Sequence, residues 1–186
     1  VNNCFTLPIV IVGLIDSDGS QAGSLQQDKG EAHMRLYLTQ HGRAMTKTEH
    51  PERPLSEQGR QDMERLAEFL RKAGLGVTRV VHSGKLRARQ SAEVLAAAIA
   101  PAIEPETSGL LNPNDNPKAF DWQSGSWDRD ILVVGHLPFL AKLVAHLVAD
   151  NEDLPLVAFQ PGTLVCLERD DGHWQIAWMV RPELLG

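Results

Sequence analysis

Three positions in this 186-residue chain place side chains that can handle an anion just after strand-like runs. The first is His41, in Arg35-Leu36-Tyr37-Leu38-Thr39-Gln40-His41-Gly42-Arg43. The second is Arg87, in Gly84-Lys85-Leu86-Arg87-Ala88-Arg89-Gln90-Ser91-Ala92-Glu93, and the third is His136, in Gly135-His136-Leu137-Pro138. A neutral imidazole is a competent nucleophile toward phosphorus when it is held in line with the leaving group. A guanidinium at a helix start grips two anionic oxygens with its fork, beside backbone N–H groups that have no intrahelical partner. One histidine at a strand end is commonly just a hydrogen-bonded structural residue. The weight therefore rests on three such positions coinciding.

The elements that must position them can be read from the pattern. Arg35 to Thr39 alternates, is rich in strand-forming side chains and stops at Gly42, which gives a buried strand ending in a tight turn. Thr78 to Ser83 reads as a second short strand, followed by a helix from about Lys85 to Ala100 that Pro101 stops. Ile131 to His136 is a third strand, an unbroken apolar run, and Phe139 to Ala149 the helix after it. Ligands of open α/β sheets sit outside the carboxyl ends of the strands, so all three positions fall on one rim.

Between these, Arg43 to Leu55 is a polar loop, and Ser56 caps a helix running to Ala73, with Gly74 closing it. Met63, Leu66, Ala67 and Leu70 make its apolar stripe, which is core. Ile103 to Glu106 reads as a brief strand, residues 110–117 as a rigid polar turn, and Lys118 to Trp127 as a short helix carrying Trp122 over the rim. Thr163 to Arg169 and Trp174 to Val180 flank Asp170-Asp171-Gly172-His173, a hairpin signal. The expected class is α/β: a single domain with a mostly parallel mixed sheet, helices on both faces and a C-terminal β-hairpin.

Bulk properties narrow the function. A net charge of −6 and a sequence pI near 5.6 argue against a broad nucleic-acid footprint. Cys4 and Cys166 make no disulfide framework, which suits a reducing cytoplasm, and Cys166 reads as a small core residue. Residues 1–33 differ from the rest. Leu7 to Ile15 is apolar but too short to cross a bilayer and lacks a basic flank. Asp16 to His33 is polar and aperiodic, so 1–33 is expected to be a disordered or non-native extension, with the domain at 34–186. No cluster has metal-ligand spacing, and no metal or cofactor is expected. His82 reads as a strand residue, and His50, His146 and His173 as surface or structural.

Taken in order, Gln40-His41-Gly42, Ser83-Gly84-Lys85-Leu86-Arg87-Ala88-Arg89-Gln90-Ser91 and Val134-Gly135-His136-Leu137-Pro138 resemble the motifs of the histidine phosphatase (phosphoglycerate mutase-like) superfamily. With Pro51-Glu52-Arg53-Pro54-Leu55-Ser56-Glu57-Gln58-Gly59-Arg60, residues 34–184 are most similar to its SixA-type phosphohistidine phosphatases. The resemblance implies that His41 becomes a transient phosphohistidine, and that Arg87 and His136 clamp the phosphoryl group. It places Arg53 in the pocket wall, where a solvated loop arginine is the competing reading. Ser83 either contacts phosphate or caps the following helix.

Two positions depart from the family pattern. Gln40 stands where the family usually has Arg; it keeps a donor that can hold the backbone or a phosphate oxygen but removes a permanent charge, which should slow phosphoryl transfer rather than abolish it. Arg43, two residues on, is a candidate to restore the field. The loop Leu111-Asn112-Pro113-Asn114-Asp115 also lacks the Glu that many members use as proton donor, and Asp115 reads as a turn former. Without a strong acid, esters with poor leaving groups react slowly, whereas a phosphoramidate leaves as an easily protonated imidazole. The expectation is a metal-independent phosphatase acting on phosphohistidine in a partner protein, such as a phosphotransfer domain or a phosphocarrier. The alternatives are a small-phosphoester phosphatase, or a catalytically weak phosphate- or phosphopeptide-binding module in which Gln40 has cost the activity.

Overall fold

The computed structural model describes residues 34–120 and 129–186. The expectations for 1–33 and for Trp122 lie outside those residues. In chain order the elements are β1 (Met34–Gln40), α1 (Glu57–Lys72), β2 (Arg79–His82), α2 (Leu86–Ile99), β3 (Glu106–Thr107), β4 (Ile131–Gly135), α3 (Phe139–Ala149), β5 (Leu164–Asp170) and β6 (His173–Val180). Among the described residues the strands form one six-stranded sheet, ordered β3-β2-β4-β1-β5-β6.

β1 lies between β4, paired in parallel, and β5, paired antiparallel. Interior placement explains why Leu36 to Thr39 are all buried. β2 and β3 extend the parallel part, and the β5–β6 hairpin makes the antiparallel edge. That hairpin turns on Asp171-Gly172, both at positive φ (45° and 81°), as a two-residue turn matched to strand twist requires. This is the mixed α/β architecture that the sequence pattern implies.

Alternation along the strands divides the core into two layers. Tyr37, Val80, Leu132, Val134 and Cys166 face α1 and α2, meeting Met63, Leu66, Leu70, Ala92 and Leu95. Leu36, Leu38, Val81, Ile131 and Val133 face α3, meeting Phe139, Leu140, Leu143 and Val144. Each strand is thereby fixed in register, because a one-residue slip would turn every apolar side chain to the wrong layer. All the parallel strands consequently end on the same rim.

Two expectations shift. The strand sought at Ile103–Glu106 is Glu106–Thr107, and it pairs with Val81 and His82. Pro105 has no N–H to give a ladder, and the Ile103 N–H closes a turn onto Ala100 O instead. In place of the beginning of a helix at Lys118 there is one 3₁₀ turn, Pro117–Ala119, and Phe120 is already extended.

Candidate active site

His41 follows β1 directly, and its position is set by backbone bonds on both sides. Its N–H donates to Gly135 O of β4 at 3.2 Å, and its carbonyl accepts from Gly162 N at 3.3 Å. Gln40 is held likewise, donating to Thr163 O at 3.1 Å and accepting from Gly162 N at 3.0 Å. The turn after His41 needs a close approach by α1. A Cβ on Gly42 would lie 2.8 Å from Gly59 O, and one on Gly59 would lie 1.9 Å from Arg43 O. Two glycines in contact therefore let the first turn of α1 seat against this loop, where Ser56 caps the helix by accepting from Gly59 N at 3.1 Å.

The bonds to the His41 ring assign its tautomer. Nδ1 lies 2.7 Å from Gly42 O, an acceptor only, so Nδ1 carries the proton. Nε2 is then the lone-pair nitrogen, and Arg87 Nε donates to it at 3.0 Å. Ser91, fully buried, ties both partners together: its Oγ accepts from Gly42 N at 3.0 Å and donates to Arg87 O at 2.8 Å. The motif reading passed over Ser91. Its signal is the four-residue spacing from Arg87, which on a helix lets a serine hydroxyl reach back to that carbonyl.

His136 lies across the rim at the end of β4, its ring centroid 4.8 Å from that of His41 in an edge-on arrangement. Its Nε2 is 2.6 Å from Ser83 Oγ, and its Nδ1 is buried with no partner among the described residues. Ser83 thus points into the site and does not cap α2, whose cap position is Lys85 with no side-chain cap bond. His82 behaves as a strand residue, buried, with Nδ1 accepting from Gly84 N at 3.0 Å.

Burial dominates the electrostatics. It pushes His41 down to about 4, and the Arg87 and Arg53 guanidinium groups add to the lowering while the Gly42 bond opposes it. It pushes His136 down to about 3, helped by its coupling to the neighbouring His41 ring and by the charges of Arg87, Lys85 and Arg53. Both imidazoles are neutral at pH 7. Arg87 is lowered from its ordinary value by burial and by Arg53, yet a guanidinium remains a cation at any physiological pH.

The remaining candidates separate. Arg53 sits in the left-handed region (φ 52°), a conformation that costs a non-glycine residue about 1 kcal/mol. Its Nε donates to Met45 O at 3.1 Å, and its charge reaches His41, Arg87 and His136. The Gln40 amide carries no charge, and its Oε1 is buried without a partner among the described residues. Arg43, the candidate for restoring the field, lines a separate cleft of about 220 Å³ with Gln58, Asp62, Arg65, Gln160 and Arg181. Lys85, which the motif reading did not single out, does act on His136, and its Nζ donates to Asn112 Oδ1 at 3.2 Å. Asp115 is a turn former as expected, its Oδ2 accepting from Asn112 N at 2.6 Å. Among the described residues no cluster of three or more His, Cys, Asp or Glu could hold a metal ion.

Comparison with known proteins bears on the family and the fold. Residues 36–111 match the profile of the histidine phosphatase superfamily, branch 1. An uncharacterised protein of Picosynechococcus sp. is 34% identical over 118 residues, covering 59% of this chain and 70% of that protein. The solved structure of the protein histidine phosphatase SixA complexed with tungstate superposes with a TM-score of 0.72 at 23% identity, covering 82% of this chain and 100% of that one. A structure described as the phosphohistidine phosphatase SixA of Agrobacterium tumefaciens gives 0.66 at 19% identity, over 80% of this chain and 97% of that one. One described as an α-ribazole-5′-P phosphatase of Escherichia coli gives 0.63 at 16%, with the same two coverages, 80% and 97%. At such identities the structural likeness establishes the fold.

Proposed function

The chain belongs to the histidine phosphatase superfamily, and from that premise we propose that it removes the phosphoryl group from phosphohistidine on a partner protein, through a covalent phosphohistidine at His41 and without a metal ion. The observation that carries the substrate class is that, among the described residues, no acid stands beside the nucleophile. Among the described residues, the permanent charges acting on His41 and His136 are those of Arg53, Arg87 and Lys85, all cationic. The one carboxylate of the 110–117 turn, Asp115, is bonded to the backbone of Asn112. Such a site suits a leaving group that needs little help from an acid, and a protonatable imidazole is one.

In the first step His41 Nε2 attacks phosphorus and the P–N bond to the substrate imidazole breaks. The departing nitrogen takes its proton from water. Arg87, already within 3.0 Å of Nε2, transfers its hydrogen bonds to the phosphoryl oxygens. In the second step water attacks the phosphoryl group on His41, the new P–N bond breaks, and inorganic phosphate leaves with His41 neutral again. His136 and Ser83 close the opposite side of the anion, and Arg53 adds charge from the 43–55 loop. The backbone clamp on His41 keeps the nucleophile in line in both steps.

The test is phosphate release from a chemically phosphorylated histidine-phosphotransfer protein, beside a generic aryl phosphate, with and without chelator. Release from the protein, unaffected by chelator and lost in His41→Ala, is the expected result. Turnover of the aryl phosphate alone would move the assignment to small phosphoesters, the class of the α-ribazole-5′-P phosphatase among the structural relatives. Saturable binding of the phosphoprotein without release would make the protein a binding module, the reading that the neutral Gln40 favours. The cytoplasm is the compartment we propose, on the cysteine usage; among the described residues no helix is long and apolar enough to cross a membrane.

A further inference from the structure

We propose that Lys85 supplies to the bound anion the positive charge that Gln40 does not. This deepens the phosphatase reading where turnover is concerned, but it stands on the site's affinity for phosphate alone.

The first argument is how the cations of this chain are partnered. Arg35, Arg65, Arg71, Lys72, Arg89 and Arg181 each meet a carboxylate. The rim cations are bonded to neutral acceptors instead: Arg87 to His41 Nε2, Arg53 to Met45 O, and Lys85 to Asn112 Oδ1. Among the described residues their charges are oriented but not cancelled, which is the arrangement an anion site requires.

The second argument is how firmly Lys85 is held. An exposed lysine wanders on a four-carbon stem. Lys85 is only half-exposed and immediately precedes α2, two residues from both Ser83 and Arg87. Its acceptor, Asn112, is itself fixed. The Asn112 N–H donates to Asp115, its Nδ2 donates to Gly109 O at 3.2 Å, and the preceding Leu111 is fully buried. Moving the tethered ammonium onto a phosphoryl oxygen exchanges a neutral amide acceptor for an anionic one, which pairs opposite charges.

The third argument is placement. In the sheet order β4 lies between β2 and β1, so His136 stands between the Lys85 side and the Gln40–His41 side. The charge absent beside His41 is present on the far side of the same anion. The Lys85 charge also contributes to holding His136 neutral.

The experiment measures orthophosphate affinity by calorimetry on the full chain, together with kcat/KM on the phosphoprotein. Lys85→Gln is expected to weaken orthophosphate binding by roughly 10- to 100-fold, the size of a charge-assisted contact. Lys85→Arg should stay close to the parent, and Lys72→Gln, a lysine in the last turn of α1, should not differ from it. Gln40→Arg should recover most of the loss in the Lys85→Gln background and gain less in the parent. Affinity unchanged in Lys85→Gln, equal losses in Lys85→Gln and Lys72→Gln, or a parent that binds no orthophosphate would each overturn the proposal. If binding depends on Lys85 but the parent releases no phosphate from phosphoprotein, Lys85 stands and the hydrolytic reading falls.

Discussion

The two flanks of the rim are built on different principles. On the β1 flank, His41 and Gln40 are fixed by backbone bonds to Gly135, Gly162 and Thr163, and Gln40 brings no charge. On the β2–α2 flank, Lys85 and Arg87 bring charge, each side chain bonded to a neutral acceptor. Geometry comes from one flank and electrostatics from the other. A nucleophile clamped by main chain survives changes in its neighbours. Positive charge carried on long side chains can be relocated between positions, as the pair Gln40 and Lys85 illustrates.

The largest effect should come from the clamped flank. His41→Ala is expected to lower phosphate release by at least about 10³-fold, since a covalent step cannot be relayed to another group. His136→Ala in parallel asks whether the two imidazoles differ in kind, and it should leave measurable turnover. Arg87→Ala strikes the charged flank and should cost about 10²- to 10³-fold in kcat, the loss of one strong donor to developing negative charge. Lys85→Gln loses less, because Arg53 and Arg87 remain.

Acid should expose the cost of burying two imidazoles. In the unfolded chain they protonate near 6.5, whereas the folded ones resist until about 4 for His41 and about 3 for His136. Across that window the unfolded state binds more protons, so stability falls as pH drops from about 6.5 to about 4. Denaturant titrations at several pH values should show the slope, flattened in His41→Ala. For the same reason the acid limb of kcat/KM on an aryl phosphate should reflect a group near 4. A limb near the ordinary histidine value of 6.5 would mean the ring is wetter than its burial implies.

Smaller effects separate positioning from folding. Ser91→Ala frees the Gly42 peptide and the first turn of α2 together, and should lower kcat by about 10-fold with little change in KM, a loss of alignment. Ser91→Thr, which keeps the hydroxyl, should recover part of it. Ser56→Ala removes the α1 cap and should cost about 1 kcal/mol of stability with kcat nearly intact. Chemical denaturation checks the first figure and steady-state kinetics the second.

Much of this was readable in the residues, for definable reasons. Strong periodicity and hard stops located α1, α2, α3, β4 and the hairpin within a residue or two: Ser56 and Gly74 bound α1, and Pro101 ends α2. The meeting of His41, Ser83, Arg87 and His136 followed from strand order, because parallel strands deliver their ends to one rim. What the pattern could not supply were interactions fixed by close approach. Arg43 looked placed to replace the missing charge, yet it lines another cleft. Lys85 and Asn112 lie 27 residues apart and meet only through the fold. Ser91 resembled any small residue on a buried helix face until its two bonds were located.

The most direct test of the account is a rapid-quench experiment with phosphoprotein labelled at its histidine, followed by mapping of the label on this chain. The account predicts a transient, acid-labile and base-stable phosphoryl group on His41, appearing before free phosphate and absent in His41→Ala. Phosphate released at full rate with no label passing through His41 would contradict it, since water would then be attacking the substrate directly.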